Sequence, residues 1–426
     1  MSLISAMYAG VSGLQTLVSS MQVIGNNVAN VNTAGFKSSR TEFGDLLAQS
    51  LGSSSQIGRG VRLQTVTPLM SQGSFLNTSA ITDMAISGEG FFCLTDGVGE
   101  FYTRAGAFRV NSDGILINNS GLYVQGYQYD DSGNNTGVIG NINLSNLATP
   151  PSATADVFMS ANLSAEAEIL ADPWDINDPA ATSNYSSSIT IYDSLGNSHS
   201  VTVYFRKTAD NTWNWYALVD GSEIDGGTPG TPVQGANGTL SFTDDGKLDN
   251  ETIVVTGWDF ANGATAGQQI TFDFGDSITG DGGTGLGGMT QFAGEFVPKY
   301  QIQDGYAAGS LRTISIGTDG VITGIFSNGK SRDIAQIALA TFRNTAGLLM
   351  SGDNMMITTN ESGDPTIAAP GVGNAGSISP STLELSNVDL SKEFVNLITA
   401  QRAFQANTRI ITTSDELMAE TLNLKR

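Results

Sequence analysis

The first 36 residues of the chain combine a regular apolar pattern with the complete absence of charged side chains. The apolar positions recur in steps of three and four, which is the spacing of one helix face. They are Leu3, Met7, Gly10, Leu14, Leu17, Met21, Ile24, Val28 and Val31, with Ile4, Val11 and Val18 widening the stripe. We predict a helix that ends near Asn30. Because it lacks the charged outer face of a lone surface helix, this helix needs a partner.

The C-terminal segment mirrors this pattern, because residues 381–426 contain neither Gly nor Pro and carry a second apolar stripe. We predict a helix from about Asp389 to the end. Its main row repeats every seven residues as Leu390, Leu397, Phe404, Ile411 and Met418, with companions that shift from Phe394 and Ile398 to Ile410, Leu417 and Leu424. Gln401, Thr408 and Asp415 interrupt the stripe, which disfavours an isolated two-stranded coiled coil. The pattern favours contact with several neighbours, and simple pairing of the terminal helices inside one globular domain is the alternative.

Between the helices, from about residue 73, the pattern changes to the alternation that is typical of half-buried strands. Turn signals rich in Gly, Asn and Asp separate the runs. We predict strands at 84–86, 91–94, 115–117, 122–129, 188–192, 200–206, 213–219, 238–242, 269–274, 311–316 and 321–326. Residues 37–72 are interpreted as an extended connector with one brief helix, and no strand is assigned in the polar run 130–187. Two apolar helical ends around a β body indicate a subunit that packs among copies of itself.

Composition narrows the classes of partner. The chain has 426 residues, and its 41 acidic against 19 basic side chains give a net charge of −22. This length accommodates about two to four domains. The acidic balance argues against binding to nucleic acid, whose phosphates require Lys and Arg, and against adhesion to anionic membranes. It implies a soluble surface that repels its own copies.

Two reactive residue types occur once each. Because Cys93 is the single cysteine of the chain, an intramolecular disulfide is excluded. Cys93 lies in the apolar run 90–94, which predicts a buried structural thiol. His199 follows a turn between two predicted strands, and no second histidine exists to share a catalytic or metal site with it. We predict a hydrogen-bonded structural histidine.

Two acidic loops are the remaining candidates for chemistry. They comprise Asp172, Asp175, Asn177 and Asp178 in one case and Asp130, Asp131, Asn134 and Asn135 in the other. Neither matches the calcium loop of an EF-hand, so solvated turns are the preferred interpretation, while calcium binding stays open. No nucleotide-binding glycine motif and no nucleophile elbow is present. We therefore predict no catalytic residue, no cofactor, no metal site and no enzymatic activity.

The N-terminal stripe does not have the features of a secretory signal or of a membrane span. It lacks a basic region, and polar residues such as Ser12, Gln15 and Thr16 interrupt its apolar positions, which argues against a secretory signal and a membrane span. The protein is therefore expected to be cytoplasmic, or to leave the cell by a route without a Sec signal.

Sequence motifs at both ends point to one family. SGL at 12–14 precedes IGNNVANVNTAGFK at 24–37, and SNVDLS at 386–391 precedes EFVNLI at 393–398 and QRAFQAN at 401–407. GEGFF at 88–92 and YTRAGAF at 102–108 lie between them. Together these segments resemble the signatures of the flagellar rod and hook protein family. The motif residues that we single out are Asn26, Asn27, Asn30, Asn32, Gly35, Phe36, Asn387, Asp389, Gln401 and Arg402.

The middle of the chain distinguishes between members of that family. YDSLGNSH at 192–199, VYF at 203–205 and QDGYAAG at 303–309 are similar to the outer domain and return segment of its hook-forming members. The distal-rod members are shorter and lack a large inserted domain. Residues 165–187 and 220–237 depart most from the family pattern, and their role is not evident from the sequence.

The resemblance implies a multidomain α+β fold in four parts. Residues 1–30 and 386–426 would form a coiled-coil-like inner-tube domain, 31–72 and 361–385 a connector, 73–150 and 300–360 an inner β domain, and 151–299 an outer β domain. The expected assembly interface comprises Leu3, Met7, Leu14, Leu17, Met21, Ile24, Val28, Leu390, Phe394, Leu397, Phe404, Ile411 and Met418.

The implied function is that of a structural subunit of the flagellar hook. Such subunits polymerise into a flexible curved tube, a universal joint that passes torque from rod to filament. The implied partners are copies of the chain, the rod protein, the hook cap protein, the hook–filament junction proteins and the type III export apparatus, with no nucleic acid and no membrane. The implied location is extracellular, in the hook, after export without a cleaved signal peptide. A distal-rod-like subunit and an extracellular β-rich carbohydrate-active enzyme are the alternatives.

Overall fold

The computed structural model of the chain describes residues 3–46, 49–50, 56–145 and 147–423. Within this part the protein is mostly β with a long helix at each end. Leu3, a predicted interface residue, begins the first helix, but its side chain lies outside the described part. Within the predicted inner-tube domain and connector, residues 1–2, 47–48, 51–55 and 424–426 also lie outside it.

The two predicted long helices are confirmed. Helix α1 spans Leu3–Ala29 and α3 spans Leu390–Asn423, and a single turn, α2, spans Ile278–Asp281. The family residue Asp389 caps α3, because its Oδ1 accepts hydrogen bonds from the backbone N–H groups of Ser391 and Lys392 at 2.9 and 3.2 Å. A carboxylate at this position satisfies free N–H groups and complements the helix dipole.

Every predicted strand overlaps an observed one. The strands are β1 Ser39–Asp45, β2 Gln49–Ser50, β3 Gln56–Ile57, β4 Val61–Pro68, β5 Phe75–Asn77, β6 Met84–Ser87, β7 Phe91–Thr95, β8 Glu100–Thr103, β9 Phe108–Val110, β10 Leu116–Asn118, β11 Tyr123–Tyr129, β12 Asn135–Asn141, β13 Ala148–Thr149, β14 Asp156–Asn162, β15 Tyr185–Tyr192, β16 Ser198–Ala209, β17 Thr212–Asp220, β18 Pro232–Phe242, β19 Leu248–Val255, β20 Thr271–Asp273, β21 Val297–Gln303, β22 Gly309–Ile316, β23 Val321–Phe326, β24 Ser331–Ile337, β25 Leu339–Thr341, β26 Leu349–Gly352, β27 Met355–Ile357, β28 Thr366–Ala368, β29 Ser377–Pro380 and β30 Thr382–Glu384. Short 3₁₀ turns lie at Gly221–Glu223 and Thr345–Gly347.

The chain divides into two units. The first comprises Met1–Leu147, Arg312–Ile325 and Ser331–Arg426, and the second comprises Ala148–Leu311 and Phe326–Lys330.

The first unit contains both long helices and a sheet in which β23, β24, β11, β7, β8, β27 and β26 are neighbours in that order. Strands β29 and β30 pair with β6 and β5, which brings the segment before α3 beside the start of the β region. Phe91, Cys93 and Tyr102 lie in its core. The sequence could not predict these pairings, because alternation identifies a strand but not its partner.

The connector prediction was wrong in one respect. Instead of a brief helix, the described part of 37–72 contains an antiparallel hairpin of β1 and β4, which lies against α1. The apolar patch that suggested a helix comprises Phe43, Leu46 and Leu47. Phe43 lies in β1, where it is exposed, Leu46 follows that strand, and Leu47 lies outside the described residues. Three apolar residues in a short polar run do not discriminate between helical and strand periods.

The second unit consists of a five-stranded antiparallel sheet, β15 to β19 in chain order, and a three-stranded sheet with the order β20, β14, β21. Its core contains the fully buried rings of Trp213, Trp215 and Trp258. Strand β14 lies in the run 130–187 to which no strand was assigned, as do β12, β13 and the start of β15. In β14 the apolar residues Val157, Phe158 and Met159 are consecutive, so the strand lacks the alternation that would distinguish it within the polar run.

Candidate functional site

The terminal helices pack against each other within one chain. A Cβ atom on Gly10 would lie 3.1 Å from Ile411 Cγ1, and one on Gly13 would lie 3.2 Å from Asn407 Nδ2. Glycine at both positions therefore lets the two backbones approach closely. The two apolar stripes therefore contact each other within one chain, which was the alternative to contact with several neighbours.

The inner faces of the helices hold most of the predicted interface residues. Ile24 is buried in this seam between the helices. The half-buried residues are Met7, Leu14, Leu17, Met21 and Val28 on α1 and Leu397, Phe404, Ile411 and Met418 on α3. Two predicted residues, Leu390 and Phe394, are exposed instead.

Apolar side chains at other positions of both helices, some of them beside the inner stripe, are in contact with solvent. We call these positions the outward faces, and their exposed apolar residues are Tyr8, Val11 and Val18 on α1 and Leu390, Phe394, Val395, Ile398, Ile410 and Leu417 on α3. On α1 they follow the steps of three and four that continue through Gln15 and Gln22. This spacing is visible in the sequence, but the denser inner stripe obscures it, so Tyr8 and Val395 are not among the predicted interface residues.

A buried ion cluster lies where α1 leads into the β region. The Lys37 ammonium bonds to Glu384 Oε1 and donates to the Ser71 carbonyl at 2.9 Å. Arg104 Nη1 lies 3.5 Å from Glu384 Oε2. The side chains of Lys37 and Glu384 are fully buried. We call the cluster of Lys37, Arg104 and Glu384 the motif junction, because it joins three segments that carry the family motifs.

Backbone groups complete the motif junction. The Gly73 N–H donates to Glu384 Oε1 at 2.9 Å, and Arg104 Nη2 donates to the Gly88 carbonyl at 2.7 Å. Burial lowers the pKa of Lys37, although its hydrogen bond to Glu384 and the charge of Glu384 oppose that effect. Burial lowers the pKa of Arg104 in the same way, against the charge of Glu384. The single carboxylate thus compensates two desolvated cations.

Two family asparagines attach the connector by paired hydrogen bonds. Asn27 accepts from Ser39 N and donates to Ser39 O, both at 2.9 Å. Asn387 accepts from Ser38 N at 2.7 Å and donates to the Leu69 carbonyl at 2.8 Å. An amide side chain satisfies a backbone N–H and a C=O at once, which explains asparagine at both sites.

The turn after α1 depends on two further motif residues. Asn30 Nδ2 donates to the Asn26 carbonyl at 3.0 Å and stabilises the end of the helix. Gly35 has a φ of 70°, and a Cβ there would lie 2.5 Å from Ala105 N, so only glycine fits. Phe36 is buried behind this turn. Asn32, Gln401 and Arg402 are exposed, and thus stand apart from these internal contacts.

Lys37, Arg104 and Glu384 were absent from the predicted site. A signal for Lys37 was present, since it is the first charged residue after 36 uncharged ones. Nothing in the local pattern indicated that Arg104 and Glu384 would meet it, because the three residues are far apart in the chain.

The other candidates for chemistry lie elsewhere. Cys93 is buried, and burial, reinforced by the charge of Glu100, raises the pKa of its thiol to about 12. His199 is buried and hydrogen-bonded, as predicted for a structural histidine. Asp175 accepts the N–H of Asn177 in an exposed turn. Among the described residues no group of three or more His, Cys, Asp or Glu side chains could hold a metal ion.

Comparison with known families accounts for both ends and the middle of the chain. Residues 7–37 match the profile described as flagella basal body rod protein, and 379–424 match the flagellar basal body rod FlgEFG protein C-terminal profile. Residues 85–163 match the flagellar hook protein FlgE/F/G D1 domain, and 162–306 match the flagellar basal body protein FlaE D2 domain.

A full-length relative decides the family. The flagellar hook protein FlgE of Borreliella burgdorferi is 36% identical over 448 aligned residues, which cover 99% of this chain and 99% of the relative. The chain belongs to the flagellar hook protein family. The hook protein FlgE of Salmonella typhimurium is 35% identical, with 97% of this chain and 98% of the relative covered. These relatives are named as hook proteins and not as enzymes.

A solved hook protein and the helices add two observations. The crystal structure of the Helicobacter pylori flagellar hook protein FlgE2 aligns with a TM-score of 0.46 and 16% identity, covering 71% of this chain and 98% of that one. No helix in the described part of this hook-family chain is long and apolar enough to cross a membrane.

Proposed function

We propose that this chain is a structural subunit of the bacterial flagellar hook. It polymerises into a flexible curved tube that acts as a universal joint and transmits torque from rod to filament. The observation that carries the proposal is the pair of outward faces, which leave apolar residues of both terminal helices unburied in the single chain. The match of residues 162–306 to the hook-type D2 domain supports a hook subunit over a distal-rod-like one.

Helix packing between copies supplies the cohesive energy. Burying a fully exposed Leu-sized side chain contributes roughly 1.5–3 kcal/mol, so a half-exposed residue such as Ile398 retains roughly 1 kcal/mol for a second partner. Helix α1 contains no charged residue that such contact would desolvate. The net charge of −22 opposes assembly, but salt screens repulsion between surface charges beyond about 10 Å at 0.1 M.

The four-part division of the chain gives each part a role. The helices of 1–30 and 386–426 form the coiled-coil-like inner tube, and the connector of 31–72 and 361–385 surrounds them. The remaining parts are the inner β domain of 73–150 and 300–360 and the outer β domain of 151–299. The hydrogen bonds of Asn27 and Asn387 to the connector support a fixed path of the chain between helix and hairpin.

The proposed partners follow from a place in the flagellar axis. They are copies of the chain, the rod protein, the hook cap protein and the hook–filament junction proteins, and the type III export apparatus delivers the subunit without a cleaved signal peptide. The subunit is then extracellular, in the hook. A single cysteine supports such export, because no intramolecular disulfide has to form or open during passage of an unfolded chain.

Electron microscopy of two variants tests the proposal. Ile398 lies on an outward face, whereas the adjacent Leu397 lies in the seam between the helices. We expect Ile398→Asp to keep the helical content of the free subunit and to form no tubes, while Ile398→Leu assembles like the unmodified protein. Leu397→Asp is expected to lose helical content in the free subunit as well.

Two outcomes contradict the proposal. Normal tubes from Ile398→Asp would show that the outward faces are not the assembly surface. Failure of the unmodified protein to form tubes under any moderate-salt condition would contradict the hook-subunit function itself.

A further inference from the structure

The only histidine of the chain lies between two carboxylates in the second unit. His199 Nδ1 is 2.8 Å from Glu223 Oε2, and Nε2 is 3.2 Å from Asp193 Oδ2. The ring stacks on Phe260 with a centroid distance of 3.9 Å and is 5% exposed. The neighbours of the ring thus come from the turn after β15, from the 3₁₀ turn at Gly221–Glu223 and from the segment that contains Phe260.

The two carboxylates are held with unequal strength. Asp193 is fully buried, and its oxygens also accept hydrogen bonds from Leu195 N, Asn197 N and Asn197 Nδ2 at 2.8–2.9 Å. Burial alone would raise the pKa of Asp193, but the hydrogen bonds from Asn197, His199 and the turn backbone lower it below its usual range. Glu223 has a 30% exposed side chain, and in the described part of the chain its carboxylate bonds to the ring of His199.

We propose that His199 is a proton-controlled latch: the protonation state of its ring decides whether the loop 221–231 is held against the rest of the second unit. In the imidazolium form both ring nitrogens carry a hydrogen, and each donates to one carboxylate. In the neutral form one nitrogen has a lone pair, which repels the carboxylate that faces it. The ring then keeps its hydrogen bond to the immobile Asp193 and releases Glu223 to solvent.

Release of Glu223 loosens a defined set of backbone contacts. The Ala261 N–H donates to the Glu223 carbonyl at 2.9 Å, and the Asp225 N–H donates to the Asp259 carbonyl at 2.8 Å. Two more acidic residues, Asp225 and Asp259, take part in these contacts through their backbones, and Asp259 Oδ1 accepts a hydrogen bond from Gly267 N. Residues 225–231 are exposed, so the latch controls the order of a surface loop that departs from the family pattern.

Amide hydrogen exchange on the full-length protein tests the latch. We expect the protection of the Asp225 and Ala261 amides, corrected for intrinsic exchange, to fall about tenfold or more between about pH 5.5 and pH 8.5. The amides of Val203 and Trp215, in central strands of the five-stranded sheet, report the stability of the whole unit, and the change at Asp225 and Ala261 is expected to exceed theirs.

Two variants make the result decisive. Glu223→Gln can accept from or donate to either form of the ring, so it should abolish the change of protection with pH. Glu295→Gln alters an exposed glutamate of the same unit and should retain the change. Protection that does not vary with pH in the unmodified protein would overturn the proposal, as would an undiminished change in Glu223→Gln.

Discussion

Removal of the single carboxylate of the motif junction tests how the first unit is held together. Glu384→Gln preserves the shape of the side chain but deletes its charge. It also turns an N–H₂ group toward Lys37 or Arg104, both of which already donate. Two buried cations then lack their only counter-charge within the motif junction.

The expected cost follows from burial. The side chains of Glu384 and Lys37 are 0% exposed and that of Arg104 is 6% exposed, so solvent does not compensate the loss. Removing one partner of a buried ion pair costs about 3–5 kcal/mol. A surface pair in the same unit supplies the control. Arg40 and Glu42 lie 2.8 Å apart with side chains 64% and 41% exposed, and Glu42→Gln should cost less than about 1 kcal/mol.

The distribution of chromophores separates the two units in one denaturation experiment. All four tryptophans, at 174, 213, 215 and 258, belong to the second unit, whereas both long helices belong to the first. We expect Glu384→Gln to lower the denaturant midpoint seen by far-ultraviolet circular dichroism while the midpoint of tryptophan fluorescence stays unchanged. The double variant Lys37→Met with Glu384→Gln should be less destabilised than the sum of the single variants.

If Glu384→Gln costs no more than Glu42→Gln, the motif junction contributes no more than a surface pair. If both spectroscopic midpoints fall together, the effect is not confined to the first unit. Either result contradicts the prediction. Strict additivity of Lys37→Met and Glu384→Gln would show that the two groups are not energetically coupled.

Two further predictions concern the helix seam and the second unit. Gly13→Leu should separate α1 from α3 and lower the helix melting temperature, because Asn407 fills the space beside Gly13. Gly25→Ala should raise the helix melting temperature, since a Cβ at Gly25 meets nothing within 4 Å and alanine favours helix over glycine by about 1 kcal/mol. Burial raises the pKa of Glu251 to about 7, so the folded state binds more protons than the unfolded state between the ordinary value of 4.5 and about 7, and stability falls as pH rises through that range. Glu251→Gln should therefore stabilise the second unit at about pH 8 but not at about pH 4, as measured by the tryptophan fluorescence midpoint; equal effects at both pH values would contradict this assignment.

The elements of the fold were predictable because their signals are local. Helix α1 and helix α3 appear at their predicted positions, and the strands around Phe91 and Trp213 follow from alternation and turn residues. The hairpin of β1 and β4 was not predicted, because polar residues dominate both strands and none of their side chains is fully buried. Strand β14 was not predicted because its three consecutive apolar residues do not alternate with polar ones.

The assembly surface was predictable only in part. The residues of the stripe from Met7 to Val28 are half-buried or buried within the chain, and their role between copies stays a prediction. The exposed Tyr8 and Val395 became evident only when one partner helix was in place. A periodic pattern reports that a face is apolar; it does not report whether the partner is the same chain or another copy.

The sequence by itself determined the uncharged N-terminal helix, the C-terminal helix with its interrupted apolar stripe, the β body between them and the motifs of the hook family. Those features depend on neighbours a few residues away, which periodicity and turn chemistry record. Only the tertiary structure decided that Lys37 meets Glu384, 347 residues further along the chain, and that Arg104 completes the cluster. Contacts between distant segments depend on strand pairing and helix orientation, and neither leaves a trace in local spacing.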